Sequence, residues 1–578
     1  MTPGLLPKLQ TAFFVLLCFS PSSSFLSRST KSPPVSRTIP RLGMADGNGD
    51  KFFAGFDLGT SGCRVSIIES VPSSVDGFRE VYSDSVTWKE CGSDSDGRYD
   101  DPESWWIAIQ KLLKGCSVSS PSILASVVSI CVSGTSASCL IADRTTLEVT
   151  RSPRMYNYDI VTSENDDTSG KQAIELLDKH LHAKHTARSS TGSFAKLVKW
   201  ILQSPLEANE FLCHQSDYFS TKLTFSTGKG FKQHSDWQNC LKLGYDVRNL
   251  KWPLDDWMGS CLKEAMEISK TQGNFDEQLL KTLPTKIVSP GAPIGIVDES
   301  VAKDLGLSKS VVIVGGTTDS NAAFYAAAAS GSGSSGGDDK IRIPYGTAVT
   351  SLGSTTAIKF LSKTYVEDSS LGVYSHRFPS RHIFDTASGD NVDDDDSTNE
   401  EAWLVGGASN VGCAVFRALD FSDEELKERS KDIDPNTDSE AYARYKYYPL
   451  LPNKVGERFP VADSTKKSVL EPLPDANDDE TSDVRTEYLK GLLQSISTEV
   501  ERKGYEVLRD LGASPPFPSR IMTAGGGSKN EVWSSLRQRI INERVEDDSE
   551  KVEVGKAEQS EASYGAALLA AAGFRLRD

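Results

Sequence analysis

The chain of 578 residues is 38% hydrophobic and 25% charged, which is typical of a globular protein and excludes a fibrous or broadly disordered one. Its formal net charge is −17, and an acidic protein of this kind repels a phosphate backbone. We therefore expect no nucleic-acid partner. The ten cysteines include no CxxC pair and no close Cys/His cluster, so they predict reduced, buried thiols rather than a zinc or redox site.

The first 45 residues contain no Asp or Glu and have the pattern of a targeting leader. Lys8 precedes the apolar run Thr11 to Phe19, which is typical of a signal peptide and too short to span a bilayer. From Phe25 the chain is rich in Ser, Pro and basic residues, as in a transit peptide. Residues 1–45 thus resemble the two-part leader of algae with complex plastids, and we expect a plastid (chloroplast) protein with no membrane association in its mature form. The alternatives are a plain secretory signal followed by a spacer, and a cytoplasmic protein.

Elements of an α/β protein follow the leader. The run Lys51 to Ser70 predicts a β-hairpin with a Gly-rich turn, and 123–134 predicts a further buried strand. A Gly- and Ser-rich stretch at 330–340 predicts a flexible linker. The linker separates an expected first domain at 51–329 from a second at 341–574.

The second half repeats the organisation of the first, since strand patterns with Gly-rich turns return at 342–360 and 519–531. Two segments in this half, 390–401 and 475–483, are acidic and of low complexity. Because their acids have no fixed ligand spacing, we interpret them as solvated loops rather than cation sites.

The first motif that indicates chemistry is the sequence DLGTSG, Asp57 to Gly62, at the end of an apolar strand. Glycines in a tight turn let backbone N–H groups approach an anion closely, and the carboxylate of Asp57 is suited to hydrated magnesium. The same sequence is also compatible with a simple hairpin turn.

The second motif is the strand that ends at Gly315 and Gly316, with Asp319 at the start of a small-residue helix. A carboxylate there faces the crevice beyond the strand ends, where open α/β sheets bind ligands. Phosphoryl transfer to an alcohol needs such an acid to orient the hydroxyl and accept its proton. The alternative is that Asp319 only caps the helix.

Two further Gly-rich turns complete the set, one at Gly353 to Thr355 and one at Gly525 to Gly527, the latter leading into a helix expected to begin near Lys529. Either could bind phosphate or nucleotide, and either is also a common way to leave a strand. The order of the four elements, in two halves joined by a linker, is more specific than any one of them.

With these motifs the chain resembles the FGGY carbohydrate kinase family, within the actin-like ATPase superfamily, over roughly residues 52–573. The resemblance implies an α/β fold of two actin-like (ribonuclease H-like) domains with a catalytic cleft between them. Further segments similar to those of the family lie at 283–297, 216–228, 449–463 and 561–573.

The resemblance also implies roles for individual residues, with ATP and Mg²⁺ as the nucleotide substrate and metal. Asp57 would be the magnesium-associated acid and Asp319 the general base. The residues implied in ATP binding are Thr60 and Ser61 in the first phosphate turn, Gly353 and Ser354 in the second, and Gly526 and Asn530 around the adenosine.

The sugar pocket is less well defined by the resemblance. Residues 133–143 stand where xylulose kinases carry Ser-Gly-Gln-Met-His-Gly, and the Gln, Met and His are absent here. Ser133, Asp159 and Asp236 are our candidates for contacts to sugar hydroxyls, with structural capping as the alternative for both aspartates. The pocket and the leader most resemble the plastid and cyanobacterial branch of xylulose kinase-like or D-ribulose kinases, so a ketopentose is the expected substrate.

Three alternative functions stay open at this point. The chain could phosphorylate another polyol or sugar such as glycerol or ribitol, act as an actin-like nucleotide-binding scaffold or chaperone, or be an inactive relative that binds a sugar or a plastid partner. The presence of Asp57 and Asp319 favours an active kinase. We expect a small-molecule sugar as its partner, and a monomer or a homodimer.

Overall fold

The computed structural model describes most of the chain after the leader. The predicted leader, the predicted linker at 330–340 and both acidic segments, apart from Glu401, lie outside the described residues, so those predictions stay predictions. The described ranges are 51–71, 77–92, 97–163, 168–225, 233–271, 281–329, 341–386, 401–473, 484–543 and 551–576.

The described elements alternate between strands and helices, as the sequence predicts for an α/β protein. The strands are β1 (Phe52–Leu58), β2 (Gly62–Ser70), β3 (Phe78–Thr87), β4 (Val127–Gly134), β5 (Cys139–Asp143), β6 (Val149–Arg154), β7 (Glu210–His214), β8 (His234–Asp236), β9 (Lys286–Val288), β10 (Pro293–Ile296), β11 (Val312–Val314), β12 (Thr317–Thr318), β13 (Thr347–Leu352), β14 (Thr356–Ser362), β15 (Tyr374–Arg377), β16 (Trp403–Ala408), β17 (Arg520–Ala524) and β18 (Glu553–Lys556). The helices are α1 (Pro102–Ser119), α2 (Pro121–Ala125), α3 (Thr168–His180), α4 (Ser193–Gln203), α5 (Gln215–Thr224), α6 (Trp257–Ile268), α7 (Glu299–Leu305), α8 (Asp319–Ala329), α9 (Ala414–Ala418), α10 (Asp423–Lys431), α11 (Glu440–Tyr445), α12 (Val484–Ser495), α13 (Lys503–Asp510), α14 (Glu531–Asn542) and α15 (Ala562–Arg575). A π-helical segment, Ile496–Arg502, joins α12 to α13.

The first sheet has the strand order β10-β11-β4-β1-β2-β3, with β12 paired to β4. Strands β1 and β2 form the predicted hairpin, while β4 runs parallel to β1 and β11 runs parallel to β4. Six of the seven residues of β1 are buried, because helices cover both faces of the sheet. This explains why β1 reads as a continuous apolar run rather than as an alternating one.

The second sheet repeats that arrangement in the order β15-β16-β14-β13-β17-β18. Strands β13 and β14 form an antiparallel hairpin like β1 and β2, and β17 is parallel to β13 as β4 is to β1. The predicted repetition of the first half by the second is confirmed.

Helices α8 and α15 join the two halves through contacts that only glycine permits. A Cβ at Gly55 in β1 would lie 2.0 Å from the backbone oxygen of Ser563 in α15. A Cβ at Gly565 would lie 1.8 Å from the backbone oxygen of Ala322 in α8. The hydroxyl groups of Ser66 and Ser563 are also 2.8 Å apart. The last helix of the chain therefore packs closely on the first sheet.

The first half carries an additional lobe, in which the sheet β6-β5-β7 packs with α3, α4 and α6 around a separate apolar core.

In the part of the chain that the structure describes, no helix combines the length and apolar character that crossing a membrane requires.

Candidate functional site

The strands of the first sheet bring the predicted acids to one edge. Asp57 in β1 and Thr317 in β12 both lie opposite Ser133 in β4. These three strands are parallel, so their carboxyl ends meet at the same edge of the sheet, which is where ligands bind in α/β proteins. Helix α8 begins at Asp319, directly after β12, as the sequence predicts.

The electrostatics of this edge fit a divalent cation. Burial and the nearby charge of Asp319 raise the pKa of Asp57 to about 7, although the hydrogen bond from Ser133 and the charge of Arg64 act in the opposite direction. The hydroxyl of Ser133 donates to Oδ1 of Asp57 at 2.9 Å. Two carboxylates whose charges repel each other favour a bound cation, and magnesium prefers oxygen ligands. Within the described ranges no group of three or more His, Cys, Asp or Glu could hold a metal ion, so magnesium at Asp57 would take its other ligands from water and phosphate oxygens.

Asp319 is buried, with 2% of its surface exposed, and its carboxylate accepts a hydrogen bond from the backbone N–H of Ser320 at 2.6 Å. Lys359, in β14 of the second half, donates to the hydroxyl of Ser320 at 3.0 Å and to the side-chain oxygen of Asn321. A lysine of the second half thus lies beside the proposed base of the first half. Sequence reasoning missed Lys359, because a lysine in the middle of a strand carries no signal of such a contact.

The first Gly-rich turn connects β1 to β2, and the backbone N–H of Gly59 closes it by donating to the carbonyl of Gly62 at 3.0 Å. Thr60 and Ser61 lie exposed at its tip. The predicted phosphate-turn residues are therefore accessible to a ligand.

The second and third Gly-rich turns share an edge of the second sheet. Gly353 and Ser354 lie between β13 and β14, and the parallel pairing of Ser351 with Ala524 brings this turn next to Gly525, which follows β17. Gly525 has a φ of +83°, a conformation that favours glycine. A Cβ at Gly526 would meet no atom within 4 Å, so the space beside the proposed adenosine residue is open.

The helix expected to begin near Lys529 begins at Glu531, because residues 526–529 form a 3₁₀ turn first. The side-chain oxygen of Asn530 caps α14 by accepting the N–H of Trp533 at 3.0 Å. Its amide nitrogen donates to the hydroxyl of Ser430 at 2.8 Å. Both polar ends of Asn530 thus have structural partners, and its contact with adenosine stays a prediction.

Two proposed sugar residues also act as caps. Oδ1 of Asp159 accepts the N–H groups of Val161 at 2.9 Å and Thr162 at 3.1 Å. Oδ1 of Asp236 accepts the N–H groups of Gln238 at 2.8 Å and Asn239 at 3.0 Å. The structure provides the capping contacts that the sequence left as the alternative, and sugar binding by both residues stays a prediction.

Asp236 nevertheless belongs to a segment that reaches the site. The next residue but one, Gln238, donates to the hydroxyl of Tyr325 in α8 at 2.6 Å and accepts from the hydroxyl of Thr317 in β12. Burial and the neighbouring charge of Asp217 raise the pKa of Asp236. The loop around Asp236 is thus fixed against the elements that carry Asp319.

The loop after β4 is held by two residues that sequence reasoning did not select. The side-chain oxygen of Gln215 accepts the backbone N–H of Thr135 at 3.1 Å and its hydroxyl at 3.0 Å. The amine of Lys196 donates to the carbonyls of Ala137 at 2.8 Å and Met155 at 2.7 Å. Burial lowers the pKa of Lys196 to about 7. The one available signal was the presence of two lysines, Lys196 and Lys199, within the otherwise apolar stretch of α4.

Comparisons with known proteins agree with this geometry. Residues 348–574 match the FGGY family of carbohydrate kinases, C-terminal domain. The fold is similar to that of a xylulose kinase from Bifidobacterium adolescentis, with a TM-score of 0.61 and 17% identity over 91% of this chain and 93% of that chain. It is also similar to Plasmodium falciparum glycerol kinase solved with ADP, with a TM-score of 0.60 and 15% identity over 92% and 90%. A gluconate kinase from Lactobacillus acidophilus gives a TM-score of 0.60 and 15% identity over 91% and 90%. Together with the repeated sheets, these likenesses show the predicted two-domain, actin-like ATPase fold.

Proposed function

We propose that this protein is an ATP-dependent sugar kinase, because residues 348–574 match the C-terminal domain of the FGGY family of carbohydrate kinases and 91% of the chain aligns with the fold of such a kinase. It transfers the γ-phosphate of ATP to a hydroxyl of a small ketose, D-ribulose or D-xylulose. The observation that carries the proposal is the position of Asp319, which begins α8 at the strand edge shared with Asp57.

Each part of the site has a role in this reaction. The exposed turns at Thr60 and Ser354 bind the β- and γ-phosphates, and the open space at Gly526 receives the adenosine. Asp57 would hold hydrated magnesium, which when bound neutralises charge on the phosphates. Asp319 orients the acceptor hydroxyl and takes its proton as the new oxygen–phosphorus bond forms and the bond to ADP breaks. Such transfer depends mainly on positioning and charge stabilisation.

The choice of a ketopentose rests on the resemblance of the pocket sequence and the leader to the xylulose kinase-like or D-ribulose kinase branch. Residues 135–137, Thr-Ser-Ala, replace the Gln-Met-His segment of ordinary xylulose kinases and are held in place by Gln215 and Lys196. The structural relatives include kinases for xylulose, glycerol and gluconate, so another polyol or sugar is the first alternative. A scaffold that binds nucleotide without catalysis is the second. The leader sequence supports import into the plastid, which we propose as the location.

The test is ATP consumption by the leader-free protein with magnesium, measured as ADP release. The acceptors are D-ribulose, D-xylulose, L-ribulose, ribitol, glycerol and gluconate. We expect one ketopentose to give much the highest kcat/KM. Turnover that depends on glycerol, ribitol or gluconate instead would keep the kinase and overturn the substrate. ATP binding by a folded protein with no acceptor-dependent turnover would favour the scaffold.

A further inference from the structure

We propose that Trp88 is a positioning residue for ATP, because its indole orients the first phosphate turn, Gly59–Gly62, so that the N–H groups of Thr60 and Ser61 face the bound phosphates. The inference rests on the proposed function, since it assigns a supporting residue to the same nucleotide site. Trp88 lies outside every motif that the sequence singles out.

Trp88 contacts the turn from behind through three carbonyls. Its indole N–H is shared between the carbonyl oxygens of Gly59 and Thr60, at 3.1 Å to each. Its backbone N–H donates to the carbonyl of Ser61 at 3.3 Å. The fourth carbonyl of the turn, that of Gly62, accepts from Gly59. All four carbonyls of the turn are therefore bound within the protein.

The direction of the N–H groups follows from the planarity of the peptide. In a trans peptide the carbonyl of one residue and the N–H of the next point in opposite directions. Because the carbonyls of Gly59 and Thr60 point toward the indole of Trp88, the N–H groups of Thr60 and Ser61 point away from it. Trp88 is 4% exposed, whereas Thr60 and Ser61 are exposed, so away from Trp88 means toward solvent and an incoming ligand. Outward N–H groups in a tight turn form an anion-binding surface.

Trp88 is itself held firmly. It begins a 3₁₀ turn, Trp88–Cys91, whose preceding residue Thr87 donates to the carboxylate of Glu90 from both its N–H, at 2.6 Å, and its hydroxyl, at 2.7 Å. Thr87 is also paired with Gly62 of the turn, where a Cβ would lie 2.0 Å from the backbone oxygen of Val86. Strand β3 thus places the indole under the turn at a fixed distance.

The second phosphate turn has the same kind of support, but from the backbone. The N–H of Cys413 donates to the carbonyl of Gly353 at 2.8 Å, and the N–H of Ala414 donates to the carbonyl of Ser354 at 3.4 Å. Both turns therefore have their carbonyls bound from behind. At the first turn two of these bonds come from one side chain, so a single substitution can remove them.

The experiment compares Trp88→Phe with Trp105→Phe by calorimetric titration of MgATP. Trp105 is the matched control, because it is fully buried in the same half and its indole donates to one carbonyl, that of Tyr99, at 2.7 Å. We expect Trp88→Phe to bind ATP about tenfold more weakly, because phenylalanine lacks the N–H group that is shared between the carbonyls of Gly59 and Thr60. Trp105→Phe should bind ATP as the unchanged protein does, although both variants lose thermal stability. In turnover, Trp88→Phe should raise the KM for ATP while leaving the KM for the sugar unchanged.

If Trp88→Phe does not fold, benzothienylalanine at position 88 keeps the ring shape and removes only the N–H, and the same tenfold loss is expected. Unchanged ATP affinity in Trp88→Phe or in the benzothienylalanine variant overturns the positioning role, and so does an equal loss of affinity in Trp105→Phe. These results leave the kinase proposal intact. Failure of the unchanged protein to bind ATP overturns both.

Discussion

Glu501 and Arg537 form an ion pair buried beneath the nucleotide turns, with 0% and 1% of their surfaces exposed. Two N–H groups of Arg537 donate to the carboxylate of Glu501 at 2.7 and 2.5 Å. The carboxylate also accepts from Thr350 in β13 at 2.6 Å, and Arg537 donates to Thr523 in β17 at 2.7 Å. These two strands lead directly into the second and third Gly-rich turns. The pair therefore links the strands that position both turns.

Glu501→Gln keeps the shape of the side chain and removes its charge, leaving the guanidinium of Arg537 buried without a counter-ion. Breaking a buried pair in this way costs about 3–5 kcal/mol. For a domain of this size that corresponds to a fall in Tm on the order of ten degrees, measured by scanning calorimetry. Because Thr350 loses its charged acceptor as well, ATP affinity should fall too.

The control is Glu425→Gln, since Glu425 also accepts from two arginines, Arg429 at 2.7 Å and Arg485, but has a side chain that is 25% exposed. Solvent screens that pair, so its Tm should move by about one degree. The double variant Glu501→Leu with Arg537→Met should recover much of the lost stability, because no charge is then left unpaired. If the Tm of Glu501→Gln lies within a degree of that of the unchanged protein, the buried pair does not stabilise the strands as described.

Three further predictions concern the site. Burial lowers the pKa of Lys196 from 10.5 to about 7, so between these pH values the amine is protonated in the unfolded chain and neutral in the folded protein. The free energy of unfolding should therefore rise with pH by about 1.4 kcal/mol per pH unit relative to that of Lys196→Met. The same pH dependence of the unfolding free energy in both proteins would contradict this. Ser133→Ala removes the hydrogen bond to Asp57, so the magnesium concentration for half-maximal turnover should rise about tenfold while the KM for sugar stays constant; a change in the sugar KM alone would instead favour sugar binding by Ser133. Gly526→Ala should leave Tm unchanged, because its Cβ meets nothing within 4 Å, and should weaken ATP binding; equal ATP affinity would remove Gly526 from the adenosine site.

The sequence predicts much of the first sheet and the position of both acids. An apolar run that ends in an acid and a Gly-rich turn predicts a strand followed by a hairpin, and the structure has β1 and β2 with Asp57 near the end of β1. A strand ending in Gly-Gly before small residues predicts a helix start at Asp319, and α8 begins there. Both predictions depend on short-range backbone chemistry.

The residues that sequence reasoning missed contact groups that lie far from them in the sequence. Trp88 reaches a turn 28 residues before it, Lys359 reaches Ser320 across the two halves, and Lys196 holds the carbonyl of Ala137, 59 residues away. Periodicity and turn chemistry do not encode which carbonyl a distant side chain meets. Conversely, a pattern match does not show whether Asn530 or Asp159 has a polar atom to spare for a ligand, and in the structure both cap backbone N–H groups.

The role of Asp319 as the group that accepts the proton of the acceptor hydroxyl is tested by measuring the turnover of Asp319→Asn together with its affinity for MgATP. Asparagine keeps the shape of the side chain but cannot act as the base. We predict that kcat for the preferred sugar falls by about a hundredfold to ten-thousandfold while ATP binding stays close to normal. Turnover comparable to that of the unchanged protein would show that Asp319 is not the base.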